Sequence, residues 1–227
     1  MSGSTTYGTC ALCGKRLSKA GMARHLATCL AKHEPPQGKA ASLFRLRIEG
    51  AWAPMYWMDV EIKEIVSLAA LDEYLRDMWL ECCGHLSSFF IGDQEYTVPI
   101  EMMDIAPGSN VRDMNVRLGD VLGKGGTFGH IYDFGTSTEL KLRVSDERQG
   151  RVGREPLRLL SRNEPPEWAC DACGKPATQV CTFCMYDRDN PFFCERHANN
   201  HDCEEPDMLL PVVNSPRMGQ CAYTGQL

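Results

Sequence analysis

The sequence predicts an α+β fold: a small antiparallel sheet with one main helix, flanked by two compact modules rich in cysteine and histidine. Three observations predict it. Several short runs in the middle of the chain alternate apolar and polar residues, as half-buried strands do. One longer run there has helical spacing. Cysteine and histidine crowd into the two ends, with three Cys in the first 30 residues and six between Cys170 and Cys203.

Taken in order, Phe44, Leu46 and Ile48 alternate with Arg45, Arg47 and Glu49, which predicts a first strand. Tyr56, Met58, Val60 and Ile62 alternate with Trp57, Asp59, Glu61 and Lys63, a second strand with its charged side outward. Ser67 is an N-cap for a helix whose apolar face is Leu68, Leu71, Leu75, Met78, Trp79 and Cys82, with Gly84 as its stop. Ser88–Ile91 and Glu95–Val98 flank Gly92-Asp93, a hairpin turn with glycine at its first central position. After a polar excursion through Pro107-Gly108, Val116–Leu122 reads as a short helix. Phe128, His130, Tyr132 and Phe134 alternate as a strand, and Leu140, Leu142 and Val144 as another.

Four segments follow. Residues 7–33 form the first Cys/His unit, and Ala31–Ala41, with Pro35-Pro36 and Gly38, reads as a linker. Residues 42–145 form the central domain. Residues 146–168, charged and interrupted by Gly150, Gly153, Pro156, Pro165 and Pro166, lead into the second Cys/His unit at 168–204. A tail, 205–227, is expected to pack on the body.

The chain has 227 residues, 43% of them hydrophobic, enough for one substantial core with small satellites. No apolar run approaches the roughly 20 residues of a membrane span. Met1–Cys10 is polar and lacks a signal-peptide core, so a cytoplasmic protein is expected. Twelve cysteines in a reducing compartment read as metal ligands rather than disulfides. Residues 1–39 carry six basic side chains against Glu34 alone, a net of +5, while the rest carries −11. A basic head on an acidic body suits one local anionic contact, not nucleic acid wrapped over the whole surface.

Cys10, Cys13, His25 and Cys29 read C-x2-C-x11-H-x3-C. Zinc takes four thiolate or imidazole ligands tetrahedrally. A Cys-x2-Cys turn supplies two, and His25 and Cys29, four apart, close the set from one helix face. Gly14 loosens the turn, and Leu17, Met22 and Leu26 supply a mini-core. Four protein ligands leave no open position, so the metal is structural. The segment resembles a single C2H2/C2HC finger with Cys29 in place of the last His. Such fingers often set a helix against nucleic acid, which implies phosphate contacts from Lys15, Arg16, Lys19 and Arg24. The alternatives are a solvated basic face or a protein-docking module.

The carboxy-terminal unit offers Cys170, Cys173, Cys181, Cys184, Cys194, His197, His201 and Cys203. Two pairings use all eight. In series, Cys170, Cys173, Cys181 and Cys184 hold one ion and the remaining four another. Interleaved, Cys170, Cys173, Cys194 and His197 hold one, and Cys181, Cys184, His201 and Cys203 the other. The seven residues between Cys173 and Cys181 favour the interleaved scheme, because a short hairpin can carry one knuckle away from its neighbour. A third reading puts a single zinc on the two Cys-x2-Cys knuckles. The interleaved spacing resembles B-box and MYND fingers, which implies protein binding. Three Zn2+ ions are expected in all, each supplying folding free energy to a segment too small to fold alone.

Phe44-Arg45-Leu46-Arg47-Ile48, Gly84-His85-Leu86-Ser87-Ser88-Phe89 and Tyr132-Asp133-Phe134-Gly135 resemble the plasmid pRiA ORF-three-like family, whose members are often labelled transposon-passenger or TnpR-like. Arg162-Asn163-Glu164-Pro165-Pro166 and the run from Leu210 to Gly219 resemble members with an added cysteine-rich tail. The resemblance spans about residues 42–220. It implies an α+β fold and no established activity, and no serine-recombinase constellation can be assembled. The chain departs from the pattern at Ser87, where members tend to have a second His, and at Thr136-Ser137-Thr138, where an aromatic commonly stands.

Other signals read as structure. Cys82, Cys83 and His85 finish the helix and pack rather than form a catalytic pair, His130 is a satisfied core or surface histidine, and Cys221 is a free or buried thiol. Gly123-Lys124-Gly125-Gly126 lacks the phosphate-loop frame. Asp133-Phe134-Gly135 lacks the rest of a kinase. The sequence therefore points to a non-enzymatic zinc adaptor docking a protein partner. The alternative is a nucleic-acid-binding accessory protein of a mobile element or nucleoprotein machine, working through the first finger.

Overall fold

A computed structural model describes residues 5–34, 38–98, 110–151, 153, 155–205 and 208–225. Pro35-Pro36 of the linker and the Pro107-Gly108 excursion lie outside the described residues. The chain divides into two compact units. One comprises Met1–Tyr74 and Leu86–Glu164, the other Leu75–His85 and Pro165–Leu227.

The first unit is built on strands β1 (Tyr7–Cys10), β2 (Arg16–Ser18), β3 (Ala41–Gly50), β4 (Trp57–Lys63), β5 (Ser87–Ile91), β6 (Gln94–Thr97), β7 (Val111–Asp113), β8 (Thr127–Tyr132), β9 (Thr138–Gly150) and β10 (Leu157–Asn163). They form one sheet in the order β2-β1-β10-β4-β3-β9-β8-β5-β6-β7. Neighbours are antiparallel except β6 and β7, which run parallel. The expected small antiparallel sheet with one main helix is therefore wrong. The sheet is large and mixed, and the described residues include four α-helices: α1 (Lys19–Lys32), α2 (Leu68–Leu75), α3 (Leu118–Val121) and α4 (Glu195–Ala198). The longest, α1 with 14 residues, belongs to the amino-terminal Cys/His segment.

Four strands of this sheet, β1, β2, β7 and β10, escaped the periodicity reading for physical reasons. With four, three and three residues, β1, β2 and β7 are too short to alternate convincingly. Strand β10 shifts register between Leu159 and Ser161, which breaks its period of two, and it lies in the stretch read as a charged lead-in. The amino-terminal Cys/His segment is thus continuous with the sheet through β1 on β10.

Strand β4 shows why. Its apolar side, Met58, Val60 and Ile62, is fully buried, but Trp57, Asp59 and Glu61 are at most 1% exposed as well. The charged side was expected in water. Its Trp57 is instead covered by α1, whose Met22, Leu26, Cys29 and Leu30 form one cluster with Cys10, Trp57 and Leu160. Those α1 positions recur at helical spacing, and Ser18 Oγ caps the helix by accepting the Gly21 N–H at 3.2 Å. Burying each large apolar chain there contributes about 1.5–3 kcal/mol. The buried acids are paired. Arg47 grips Asp59 with two bonds of 2.9 and 2.8 Å and lies over the Trp57 ring at 4.7 Å. Glu61 receives Arg148 at 2.8 Å and Arg158 at 2.7 Å.

Elsewhere the local readings and the structure meet closely. Ser67 Oγ caps α2 by accepting the Ala70 N–H at 3.2 Å. Gly92, at φ +58°, starts the two-residue turn between Ile91 and Gln94. The strand read through Phe134 ends at Tyr132, because Asp133 turns to φ +65° and accepts the N–H groups of Gly135 and Thr136 at its Oδ1.

In the second unit the chain past α2 forms a wider π turn over Arg76–Leu80, closed by Glu81 N–H to Arg76 O at 2.9 Å. The helix expected through Cys82 therefore ends at Leu80. Strands β11 (Gln179–Cys181), β12 (Phe192–Phe193) and β13 (Leu209–Pro211) make a small antiparallel sheet in the order β12-β11-β13. Val180, Phe192 and Met218 form its core, with the Trp168 ring stacked on Phe192 at 4.3 Å between centroids. No helix of the described residues is long and apolar enough to cross a membrane.

Candidate metal centres

Among the described residues four groups of cysteine and histidine converge, and in each the candidate ligand atoms all lie within 4.8 Å of one another. With Zn–S near 2.3 Å and Zn–N near 2.0 Å, tetrahedral edges are about 3.8 Å between sulfurs and about 3.5 Å from sulfur to nitrogen. That is the yardstick for each group.

The first group is Cys10, Cys13, His25 and Cys29. Cys10 ends β1, and its knuckle is drawn tight by Gly14 N–H to Cys10 O at 2.8 Å and Cys10 N–H to Lys15 O at 2.9 Å, with Gly14 at φ +74°. His25 and Cys29 come from one face of α1. Cys10 Sγ lies 3.9 Å from Cys29 Sγ, and Cys13 Sγ 3.2 Å from His25 Nε2. Burial pushes the Cys29 thiol up to about 12 and holds the His25 imidazole below its usual value. A thiol so placed needs a cation to ionise, and a neutral imidazole is the form a metal takes.

The second group is Cys170, Cys173, Cys194 and His197, and the third is Cys181, Cys184, His201 and Cys203. The ligands are thus grouped in the interleaved pattern, not in series. Cys170 Sγ lies 3.3 Å and Cys194 Sγ 3.4 Å from His197 Nδ1, and Cys173 Sγ 3.9 Å from Cys194 Sγ. The Cys170 knuckle repeats the Cys10 one, with Gly174 N–H to Cys170 O at 2.8 Å, Cys170 N–H to Lys175 O at 2.7 Å and Gly174 at φ +69°. Both read Cys-x2-Cys-Gly-Lys, a repeat visible in the sequence. Burial raises the Cys170 thiol, but the Cys194 N–H, the His197 ring and the Ala172 and Cys173 N–H groups outweigh it and hold it at about 6. In the third group Cys181 Sγ is 3.9 Å from Cys203 Sγ, Cys184 Sγ is 3.4 Å from His201 Nε2, and the His201 ring packs on Phe193 at 4.3 Å. Burial pushes Cys184 up to about 12.

The fourth group, Cys82, Cys83, His85 and Cys221, was read as packing and a stray thiol. Only the Cys-Cys-x-His run hinted at it, because its fourth member lies 136 residues beyond His85.

The four basic residues assigned to phosphate fare unequally. Arg16 forms a two-pronged pair with Glu164, both bonds 2.7 Å, and lies over the Tyr7 ring at 4.3 Å. Lys19 pairs with Glu49 at 2.8 Å and donates to Pro54 O at 2.9 Å. Lys15 and Arg24 are exposed. The +5 head is thus partly neutralised by acids of its own unit.

No curated protein matches the sequence. Among solved structures, the chain is similar to a protein of unknown function, MM3350, from Methanosarcina mazei Go1, at 15% identity and a TM-score of 0.45, covering 53% of this chain and 68% of that one. The family model described as plasmid pRiA4b ORF-3-like protein matches residues 42–191, which run from β3 through the knuckles of Cys170 and Cys181. On that match, the chain belongs to the plasmid pRiA4b ORF-3-like family.

Proposed function

We propose that this protein is a non-enzymatic, zinc-stabilised docking module that acts in the cytoplasm on a protein partner. The observation that carries the reading is the completeness of each ligand set. Each of the three groups read from the sequence supplies four thiolate or imidazole ligands, which fills a tetrahedral zinc and leaves no position for water or substrate. Such zinc holds shape rather than performing chemistry. A reducing compartment keeps the twelve cysteines, all free of disulfides in the structure, available as ligands.

Two large aromatics stand in water where a partner would meet them. Tyr186, 81% exposed, follows the Cys184 knuckle, and Trp52, 85% exposed, sits in the turn between β3 and β4. Tyrosine and tryptophan are the side chains that most often anchor protein interfaces. The nucleic-acid alternative is weaker, since Arg16 and Lys19 already hold acids.

The test is quantitative capture from the native host with wild type, Tyr186→Ala and Trp52→Ala. A specific protein retained by wild type and depleted in at least one variant, at unchanged zinc content, supports the proposal. Retention that is equal in all three, or of nucleic acid alone, overturns it.

A further inference from the structure

We propose that Cys82, Cys83, His85 and Cys221 form a fourth zinc site, which ties the carboxy-terminal segment to the loop that follows the π turn. The inference goes beyond the three-zinc reading above and stands on its own geometry.

The donor set is three thiols and one imidazole, a combination that selects zinc among common divalent ions. Cys82 Sγ lies 3.5 Å from Cys83 Sγ, Cys83 Sγ lies 3.6 Å from Cys221 Sγ, and Cys221 Sγ lies 3.6 Å from His85 Nε2. These are the edges of a zinc tetrahedron, about 3.8 Å between sulfurs and about 3.5 Å to nitrogen. Cys83 Sγ is closer to His85 Nε2, at 2.9 Å. All four ligand atoms lie within 4.8 Å of one another.

The backbone is shaped to bring them there. The π turn widens the helix end at Arg76–Leu80, and such turns recur at functional sites. Gly84, at φ +76°, reverses the chain between Cys83 and His85. Glu81 Oε1 accepts the Gly84 N–H at 2.6 Å, while Arg76 donates to Glu81 Oε2 at 2.8 Å and to His85 O at 2.7 Å. These bonds brace the loop that carries three of the ligands. Cys221 itself sits at φ +51°, a left-handed conformation that a cysteine adopts only when its surroundings compel it.

The opposite wall is prepared too. Ser215 Oγ donates to Trp79 O at 2.7 Å, which seats the tail on the π turn. Arg217, fully buried, places Nη2 3.3 Å from Cys82 Sγ. Three thiolates and a neutral imidazole around Zn2+ carry a net charge of −1, and this guanidinium offsets it. Such a second ring of hydrogen bonds and charge commonly tunes metal sites. Binding releases the thiol protons and forms four coordinate bonds, with no change of oxidation state.

None of the four ligands is buried, whereas each of the other three groups holds at least one buried cysteine. The fourth ion should therefore leave first when chelator competes. A short metal staple of this kind orders a terminal segment that has little core of its own.

The test uses the full chain, purified with zinc and a phosphine reductant. Native mass spectrometry should count four zinc ions for the four groups, and the Cys83→Ser/Cys221→Ser variant should count one fewer. Equal counts in both proteins overturn the proposal. A wild type with three ions that loses none in the variant leaves the three-zinc reading standing while removing this one. Peptide mapping of the wild type covers a variant that fails to fold. In zinc-loaded protein Cys83 and Cys221 should resist iodoacetamide until chelator is added, and should then react before the other ligand cysteines. Immediate labelling of both in zinc-loaded protein overturns the site.

Discussion

His130 Nε2 on β8 donates a 2.6 Å hydrogen bond to Asp72 Oδ1 on α2, with the histidine fully buried and the aspartate 4% exposed at its side chain. This pair is a buried polar link between the helix and the strand. Asp72→Ala leaves a buried ring nitrogen without its acceptor, and should cost about 2–4 kcal/mol in urea unfolding. Asp72→Leu with His130→Leu removes both partners and should recover part of that loss. A double-mutant cycle with no coupling between the two sites counts against the pair.

Glu61 is the acid on which two arginines of separate strands meet, Arg148 from β9 and Arg158 from β10. Glu61→Gln keeps the shape and removes the charge. The arginines retain 23% and 18% exposure, so water relieves part of the penalty. The expected loss is about 2–3 kcal/mol by chemical denaturation. A variant as stable as the wild type would show that the cluster contributes no net stability.

Gly8 is where the amino-terminal Cys/His segment joins the sheet. A Cβ there would collide with Arg162 O and come within 2.7 Å of Trp57 Cη2. Gly8→Val should therefore loosen β1 from β10 and speed amide exchange at Cys10 and Ala11, whose N–H groups donate to Lys15 O and Leu160 O. Exchange at α2 should hardly change. Unaltered exchange at Ala11 would contradict the close packing.

Metal removal should act on both ends of the chain. A strong chelator at neutral pH should reduce helical circular dichroism and open 7–33 and 168–204 to protease, because metal held by these groups supplies folding free energy to segments with little core of their own. Acidification should release metal as well, since each ligand must lose its proton to bind. Unchanged dichroism and proteolysis after complete zinc loss would remove the structural-zinc account.

Nucleic-acid binding should be weak. With Arg16 and Lys19 held by Glu164 and Glu49, Lys15 and Arg24 offer about two phosphate contacts, and a log–log salt slope near −2 at most. A gel-shift series in which a duplex binds with a much steeper slope, lost in Lys15→Ala/Arg24→Ala, would revive the nucleic-acid alternative.

Much of this protein was legible in its sequence. The Cys-x2-Cys spacings and the His25/Cys29 interval dictate local geometry, since a knuckle and one helix face bring ligands together whatever the rest of the chain does. The strands β3, β4, β8 and β9, the cap at Ser67 and the hairpin turn at Gly92 follow likewise from periods and backbone preferences of neighbouring residues. Tertiary structure alone decided the rest. Trp57, Asp59 and Glu61 look like a solvated face until α1 and three arginines from other strands cover them, and no local period encodes a partner that arrives from outside the strand. For the same reason β1, β2, β7 and β10 joined the sheet unannounced, and Cys221 met Cys82, Cys83 and His85 across 136 residues of chain. Spacing specifies contacts made within a turn or a helix, whereas contacts made across the fold depend on which surfaces must leave water together.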